Sequence, residues 1–155
     1  MRGKNYDVKG KKVFILGAGG VVSSIILALK KMETSQIILS NRTKKKAEQL
    51  KNFFPNLEIV NWGEIPEFNM IINATSLGLN KEDEIKLDYA GVGPNKLFYD
   101  VIYNPKQTKF LSKAKQFGNQ TENGKMMFIY QAHQAFTLWH KVMPKIDEET
   151  IKLLD

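Results

Sequence analysis

Short unbroken apolar runs alternate along this chain with longer stretches in which apolar and polar positions mix at helical spacing. Val13 to Leu16 is the first run, continuous and not alternating, the pattern of a strand buried on both faces. Val21 to Leu29 continues long enough to be a helix. Gln36 to Ser40 reads as a second strand, and Lys44 to Phe54 as a helix with a lysine-rich outer face, ended by Pro55. Leu57 to Val60 is a third, shorter strand. Met70 to Ala74 is wholly apolar up to Asn73 and therefore central, and Leu97 to Tyr103 is a fifth strand. Thr108 is placed to cap a helix reaching Phe117, and Gly118 sits where a left-handed helix end is expected. Met126 to Val142 reads as a long amphipathic helix closed by Pro144, with Met127, Tyr130, Gln134 and Trp139 as packing residues. Residues 1 to 10 read as a polar lead-in, 80 to 95 as a surface excursion, 119 to 123 as a polar connection and 147 to 155 as a short charged helix or frayed tail. Strands alternating with helices predict an α/β fold, doubly wound around a mostly parallel sheet (Rossmann-like) with a long C-terminal helix.

The size, 155 residues with 43% hydrophobic positions, suits a single globular domain spanning 1–155. No apolar run approaches the roughly 18 residues needed to cross a bilayer, and the first residues lack an apolar signal core. The chain has no cysteine, which excludes thiolate metal sites and disulfides and fits a reducing cytoplasm. His133 and His140 have no carboxylates at ligand spacing, so no metal is expected. The formal charge of +7 raises nucleic acid as a partner, but the lysines are scattered and no basic stripe carries interleaved aromatics. One dense basic cluster remains.

That cluster follows a glycine-rich turn. Gly17-Ala18-Gly19-Gly20 lies between the first strand and the first helix, the context in which such a run binds a dinucleotide. Gly17 permits the tight turn, and Gly19 lets backbone approach a pyrophosphate on the helix N-terminus. The third glycine position holds Val22, an imperfect match; the same run would also serve as a plain tight turn. At the end of the second strand, where an acid would accept from an NAD ribose, stand Asn41, Arg42 and Thr43, followed by Lys44, Lys45 and Lys46. An acid would repel a 2′-phosphate, whereas Arg42 can fork onto it and stack on adenine, which favours NADP; a solvated helix start is the other reading. Thr75 and Ser76, just past the fourth strand, are candidate cofactor contacts, or a plain turn.

Five motifs in register then carry a resemblance: Gly17 to Gly20; Asn41-Arg42-Thr43 with Lys46-Ala47; Asn73-Ala74-Thr75-Ser76-Leu77-Gly78; Tyr99 to Pro105 with Thr108 and Leu111; and Gly124 with Gln131-Ala132, Phe136 and Trp139. Over residues 10 to 140 the chain closely resembles the NADP-binding domain of the shikimate dehydrogenase family. The resemblance implies an NADP-dependent oxidoreductase of aromatic amino-acid (chorismate) biosynthesis, reducing 3-dehydroshikimate reversibly to shikimate. It implies that Gly17, Ala18, Gly19, Gly20 and Val21 hold the pyrophosphate, and Asn41, Arg42, Thr43 and Lys46 the 2′-phosphate end. Asn73, Ala74, Thr75 and Ser76 would line the cofactor, Val101 and Gly124 would lie near the nicotinamide, and Tyr103 and Gln131 would touch a small-molecule substrate. Departures are the valines after the glycines and Asn123 where Asp is common. In this family the proton-transfer Lys and Asp lie in a preceding catalytic domain, so this chain is expected to hold none of the catalytic residues and to be inactive alone, whether cut at the domain boundary or naturally shortened. Alternatives are a quinate dehydrogenase using NAD, a glutamyl-tRNA reductase-like oxidoreductase, or a non-catalytic NADP-binding module.

Overall fold

A computed structural model describes residues 6–129 and 147–152. Six strands form one sheet: β1 (Lys12–Leu16), β2 (Gln36–Ser40), β3 (Glu58–Ile59), β4 (Met70–Asn73), β5 (Leu97–Asp100) and β6 (Gln120–Glu122). Their order is β3-β2-β1-β4-β5-β6, and every described pairing is parallel. The helices are α1 (Gly20–Lys31), α2 (Lys44–Phe53), α3 (Tyr89–Val92) and α4 (Lys109–Gln116), then a helical stretch at 125–129 (α5) and α6 (Glu148–Lys152).

The unbroken apolar strands are explained by what lies on each face. Val13, Ile15, Ile37, Leu39, Met70 and Ile72 point to one side, against Val22, Ile25, Ile26 and Leu29 of α1 and Ala47 of α2. Phe14, Leu16, Ile38, Ile71 and Phe98 point to the other, against Tyr89 of α3 and Phe110, Leu111 and Ala114 of α4. Each fully buried side chain of this kind contributes about 1.5–3 kcal/mol, so both faces are needed to hold the sheet. The connection from β1 through α1 to β2 and on through α2 to β3 keeps both helices on one face, as right-handed crossovers require.

Several sequence expectations need correction. The lead-in supplies Val8, which is wholly buried in the first core, and Gly10 donates its N–H to the Glu33 carbonyl. The excursion at 80 to 95 contains α3 and buries Ile85 and Tyr89 against the second core. The polar connection after Gly118 is a sixth strand, whose pairing is made by backbone with polar side chains on a sheet edge. The fifth strand stops at Asp100 and does not reach Tyr103: the Asp100 carboxylate accepts the Ile102 N–H at 3.1 Å and turns the chain. The expected mostly parallel sheet, by contrast, is found, and every described pair in it is parallel. Of the long helix expected from Met126 to Val142, residues 125–129 are helical; Tyr130, Gln131, Gln134 and Trp139 lie outside the described residues. No described helix is long and apolar enough to cross a membrane.

Candidate functional site

The chain leaves β1 at Leu16 and turns through Gly17 at φ +112°, a left-handed value that favours glycine. Close packing adds a second requirement, because a Cβ there would stand 2.7 Å from the Ala74 carbonyl oxygen. Gly17 donates its N–H to the Ser40 carbonyl at 2.8 Å, and Ala74 donates to the Leu16 carbonyl at 2.8 Å. The ends of β2, β1 and β4 are thereby stitched into one edge. Gly19 and Gly20 differ from Gly17: a Cβ on either would meet open space.

Gly19 is the N-cap of α1, and no side chain caps it. Thr43, the N-cap of α2, likewise makes no side-chain cap bond. Both first turns lack an acid, and that of α2 carries Lys44, Lys45 and Lys46. Free backbone N–H groups and the positive end of the helix dipole disfavour cations at this place and favour an anion. Three lysines added to an uncapped N-terminus make sense once a polyanion is brought to it.

Gly17, Ala18, Gly19, Asn41, Arg42, Thr43, Lys46, Ala74, Thr75 and Ser76 line one cleft of about 370 Å³ at the carboxyl edge of the sheet. Ten of the sequence-predicted positions thus share one concavity. Gly20 and Val21 follow it into α1, and Val22, at the third glycine position, is wholly buried in the core beneath that helix. Asn41 donates from its side-chain amide to the Thr43 carbonyl at 2.9 Å, shaping the entry to α2.

Asn73 lies beneath the cleft and not in its wall. It is fully buried, its Oδ1 accepting from the Thr75 N–H at 3.0 Å and the Thr75 hydroxyl at 2.6 Å. Its amide donates to the Leu77 carbonyl at 3.0 Å and to Asp100 Oδ1 at 3.1 Å. Asp100 is also fully buried, and its Oδ2 accepts from the Thr108 hydroxyl at 2.7 Å. Burial pushes the Asp100 carboxyl above its ordinary value, opposed by the hydrogen bonds from Thr108, Ile102 and Asn73. Thr108 in turn caps α4 by accepting the Leu111 N–H. Asn73, Asp100 and Thr108 are therefore one buried polar network that sets the cleft loop on one side and the turn at 100–103 on the other.

Val101, Tyr103 and Gly124 form a second group along the same edge, outside the cleft lining. Gly124 lies so close to β5 that a Cβ would fall 1.9 Å from the Val101 carbonyl oxygen, and it donates its N–H to the Ile102 carbonyl at 3.2 Å. Tyr103 stacks on Phe128 with ring centroids 4.7 Å apart. Asn123 serves the local backbone, its Oδ1 accepting the Lys125 N–H at the start of α5 and its amide donating to the Lys106 carbonyl. Gln131 lies outside the described residues. Among the described residues no group of three or more His, Cys, Asp or Glu could hold a metal ion.

Sequence reading missed Trp62 and Leu77 as cleft residues. Leu77 was legible as part of the loop after β4. Trp62 sits in a connection with no periodic pattern, and only its unusual residue type marked it.

A sequence model of the family described as shikimate/quinate 5-dehydrogenase matches residues 2–80. The NADP(+) shikimate dehydrogenase of Pelagibacter ubique is 61% identical over 149 residues, covering 96% of this chain and 56% of that protein. The solved shikimate dehydrogenase of Aquifex aeolicus superposes with a TM-score of 0.82 at 36% identity, covering 96% of this chain and 54% of the other. The ligand-free 5-ketofructose reductase of a Gluconobacter strain superposes with a TM-score of 0.85 at 28% identity, over 97% of this chain and 57% of its own. The chain spans about half the length of the curated relatives it matches.

Proposed function

The chain belongs to the shikimate/quinate 5-dehydrogenase family, and on that premise we propose that it binds NADP(H) as the cofactor half of a shikimate dehydrogenase. The observation that carries this reading is the union, in one cleft, of an uncapped glycine-turn helix end with Arg42, Thr43 and Lys46 at a second uncapped helix end. The donor set suits the group: open glycine backbone for a pyrophosphate, and a basic cluster without an acid for a 2′-phosphate. When bound, the nicotinamide supplies hydride chemistry with the ring carbon of 3-dehydroshikimate or shikimate.

What this chain's residues contribute is placement. Ala18, Gly19, Gly20 and Val21 present backbone N–H groups to the pyrophosphate, and Gly17, whose own N–H is held by the Ser40 carbonyl, makes the turn that lets the pyrophosphate approach. Arg42 forks onto the 2′-phosphate with Asn41, Thr43 and Lys46 around it. Ala74, Thr75 and Ser76 close the cleft floor, which Asn73 holds in shape. Val101 and Gly124 border the nicotinamide end, and Tyr103 faces the substrate, a role the family resemblance also assigns to Gln131. The proton transferred to the carbonyl oxygen needs a general acid within hydrogen-bond reach. The family resemblance gives that role to a Lys and an Asp of a catalytic domain, so activity is proposed for the whole enzyme and cofactor binding for this chain. It is read as a single cytoplasmic domain whose partners are that catalytic domain and a small cyclic hydroxy acid.

Calorimetric titration of the 155-residue chain with NADP⁺ and with NAD⁺ tests this. NADP⁺ is expected to bind clearly more tightly. Arg42→Ala is expected to lose about 1.5–3 kcal/mol of NADP⁺ affinity and little for NAD⁺. Equal losses for both would remove Arg42 from the 2′-phosphate, and binding of neither dinucleotide would refute the cofactor reading.

A further inference from the structure

Taking the dinucleotide reading as its basis, we propose that Trp62 is a cofactor-recognition residue, its indole stacking on the adenine ring that Leu77 covers from the other side. A second cavity of about 380 Å³ lies on the α3/α4 face of the sheet, lined by Phe14, Leu16, Ile85 and Leu87 among others. It shares three residues with the anion-binding cleft: Arg42, Trp62 and Leu77. The shared wall is therefore the place where a cationic fork and two apolar surfaces meet.

A nucleotide bound through its phosphates at the helix ends must also put its flat heteroaromatic ring somewhere. Phosphate groups select backbone N–H and cationic side chains; a purine selects planar or aliphatic faces. Within the cleft lining the large apolar side chains are Trp62 and Leu77, and both stand at the join with the second cavity. Arg42 at the same join keeps the adenosine end and its 2′-substituent together.

The position of Trp62 is built, not incidental. It occupies a turn in which the Glu64 N–H bonds the Asn61 carbonyl at 3.1 Å and Gly63 takes φ +98°, as the third residue of a type II turn does. The Glu64 carboxylate accepts both the Asn61 N–H and its side-chain amide, at 2.9 and 3.0 Å, and these bonds hold its pKa below the usual carboxylate value. Asn61 Oδ1 accepts from Lys44 Nζ at 3.0 Å, which fastens the turn to the first residue of α2. On the strand side, the Val60 N–H bonds the Leu39 carbonyl at 3.0 Å. Trp62 is 36% exposed, a large apolar residue left against water by a turn that is itself well anchored.

The test compares the chain with Trp62→Ala and Trp62→Phe, titrated with NADP⁺, NAD⁺, adenosine 2′-phosphate and nicotinamide mononucleotide. Trp62→Ala should weaken NADP⁺, NAD⁺ and adenosine 2′-phosphate each by about tenfold or more, leaving the NADP⁺/NAD⁺ ratio and the mononucleotide unchanged, because adenine is common to the first three. Trp62→Phe should recover most of the affinity. Adenosine 2′-phosphate should quench the fluorescence of the original chain and not that of Trp62→Phe. NADP⁺ binding within about twofold of the original in Trp62→Ala overturns the adenine assignment while leaving the cofactor reading intact. An original chain that binds neither dinucleotide overturns both.

Discussion

The carboxyl ends of β1 and β2 and those of β4 and β5 share one sheet edge, yet they are finished in opposite ways. At β1 and β2 the two following helices start without a side-chain cap, Gly19 and Gly20 face open space, and the first turns hold no acid. At β4 and β5 the polar groups find partners: Asn73 bonds Thr75, Leu77 and Asp100, Thr108 bonds Asp100 and caps α4, and Gly124 is driven against Val101. An unmet hydrogen-bond group is a standing cost to the free protein and an opportunity for a ligand. On the proposed cofactor reading the first half of the edge keeps its donors for an anion, whereas the second uses its own to fix geometry. Binding capacity and rigidity are thus separated along one line of the molecule.

Glycine replacement should separate the two halves most strongly. Gly124→Ala puts a methyl inside the Val101 carbonyl and should destabilise the chain by about 3 kcal/mol or more in urea unfolding. Gly19→Ala meets no protein atom and should change stability by no more than about 1 kcal/mol while markedly weakening NADP⁺. If the two alanines shift the unfolding midpoint alike, the two halves do not differ in the way described.

Next in size is the buried carboxyl. Asp100→Asn should lose about 1–3 kcal/mol, because the group that accepts from Thr108, Ile102 and Asn73 is weakened. Burial raises the Asp100 pKa above its ordinary 3.8, so between that value and the raised one the folded state holds more protons than the unfolded. Its contribution to stability therefore falls as pH rises through that window and is flat above it. Melting curves of the two proteins should draw together with rising pH there; a gap that widens would show that the native carboxylate is favoured.

The smallest effect probes the open half. Thr43→Asp supplies the missing N-cap and dipole partner of α2 and should raise stability by about 0.5–1 kcal/mol in the absence of ligand, seen as a higher melting temperature. The same carboxylate should weaken NADP⁺ more than NAD⁺. A variant that gains both stability and NADP⁺ affinity would mean that the 2′-phosphate does not lie at this helix end.

Apolar continuity made β1, β2 and β4 readable, because strands covered on both faces leave no alternation to misread. The glycine turn and the Asn41-Arg42-Thr43 run were readable for a different reason: their chemistry is carried by residue type and local order. β6 was not, since Gln120, Thr121 and Glu122 pair through backbone at an edge and leave no apolar trace. The early end of β5 was hidden too, as it depends on a carboxylate folding back on its own chain. Val8 is a single apolar residue in polar surroundings and Tyr89 stands in a short segment without clear periodicity, and only tertiary packing reveals that they are core. Trp62 required the turn at 61–64 to be built before its place at the cleft could be known.

Strand order has an evolutionary corollary. Because β4 returns to lie beside β1, every residue lining the cleft falls between Gly17 and Leu77, one uninterrupted tract of sequence. The stretch from Asp100 onward, which carries Tyr103 and Gly124, supplies no lining residue, yet Asp100 and Thr108 hold the cleft loop in shape through Asn73. Substitutions that spare Asp100 and Thr108 could therefore change what the far end of the edge contacts while leaving the cleft lining intact.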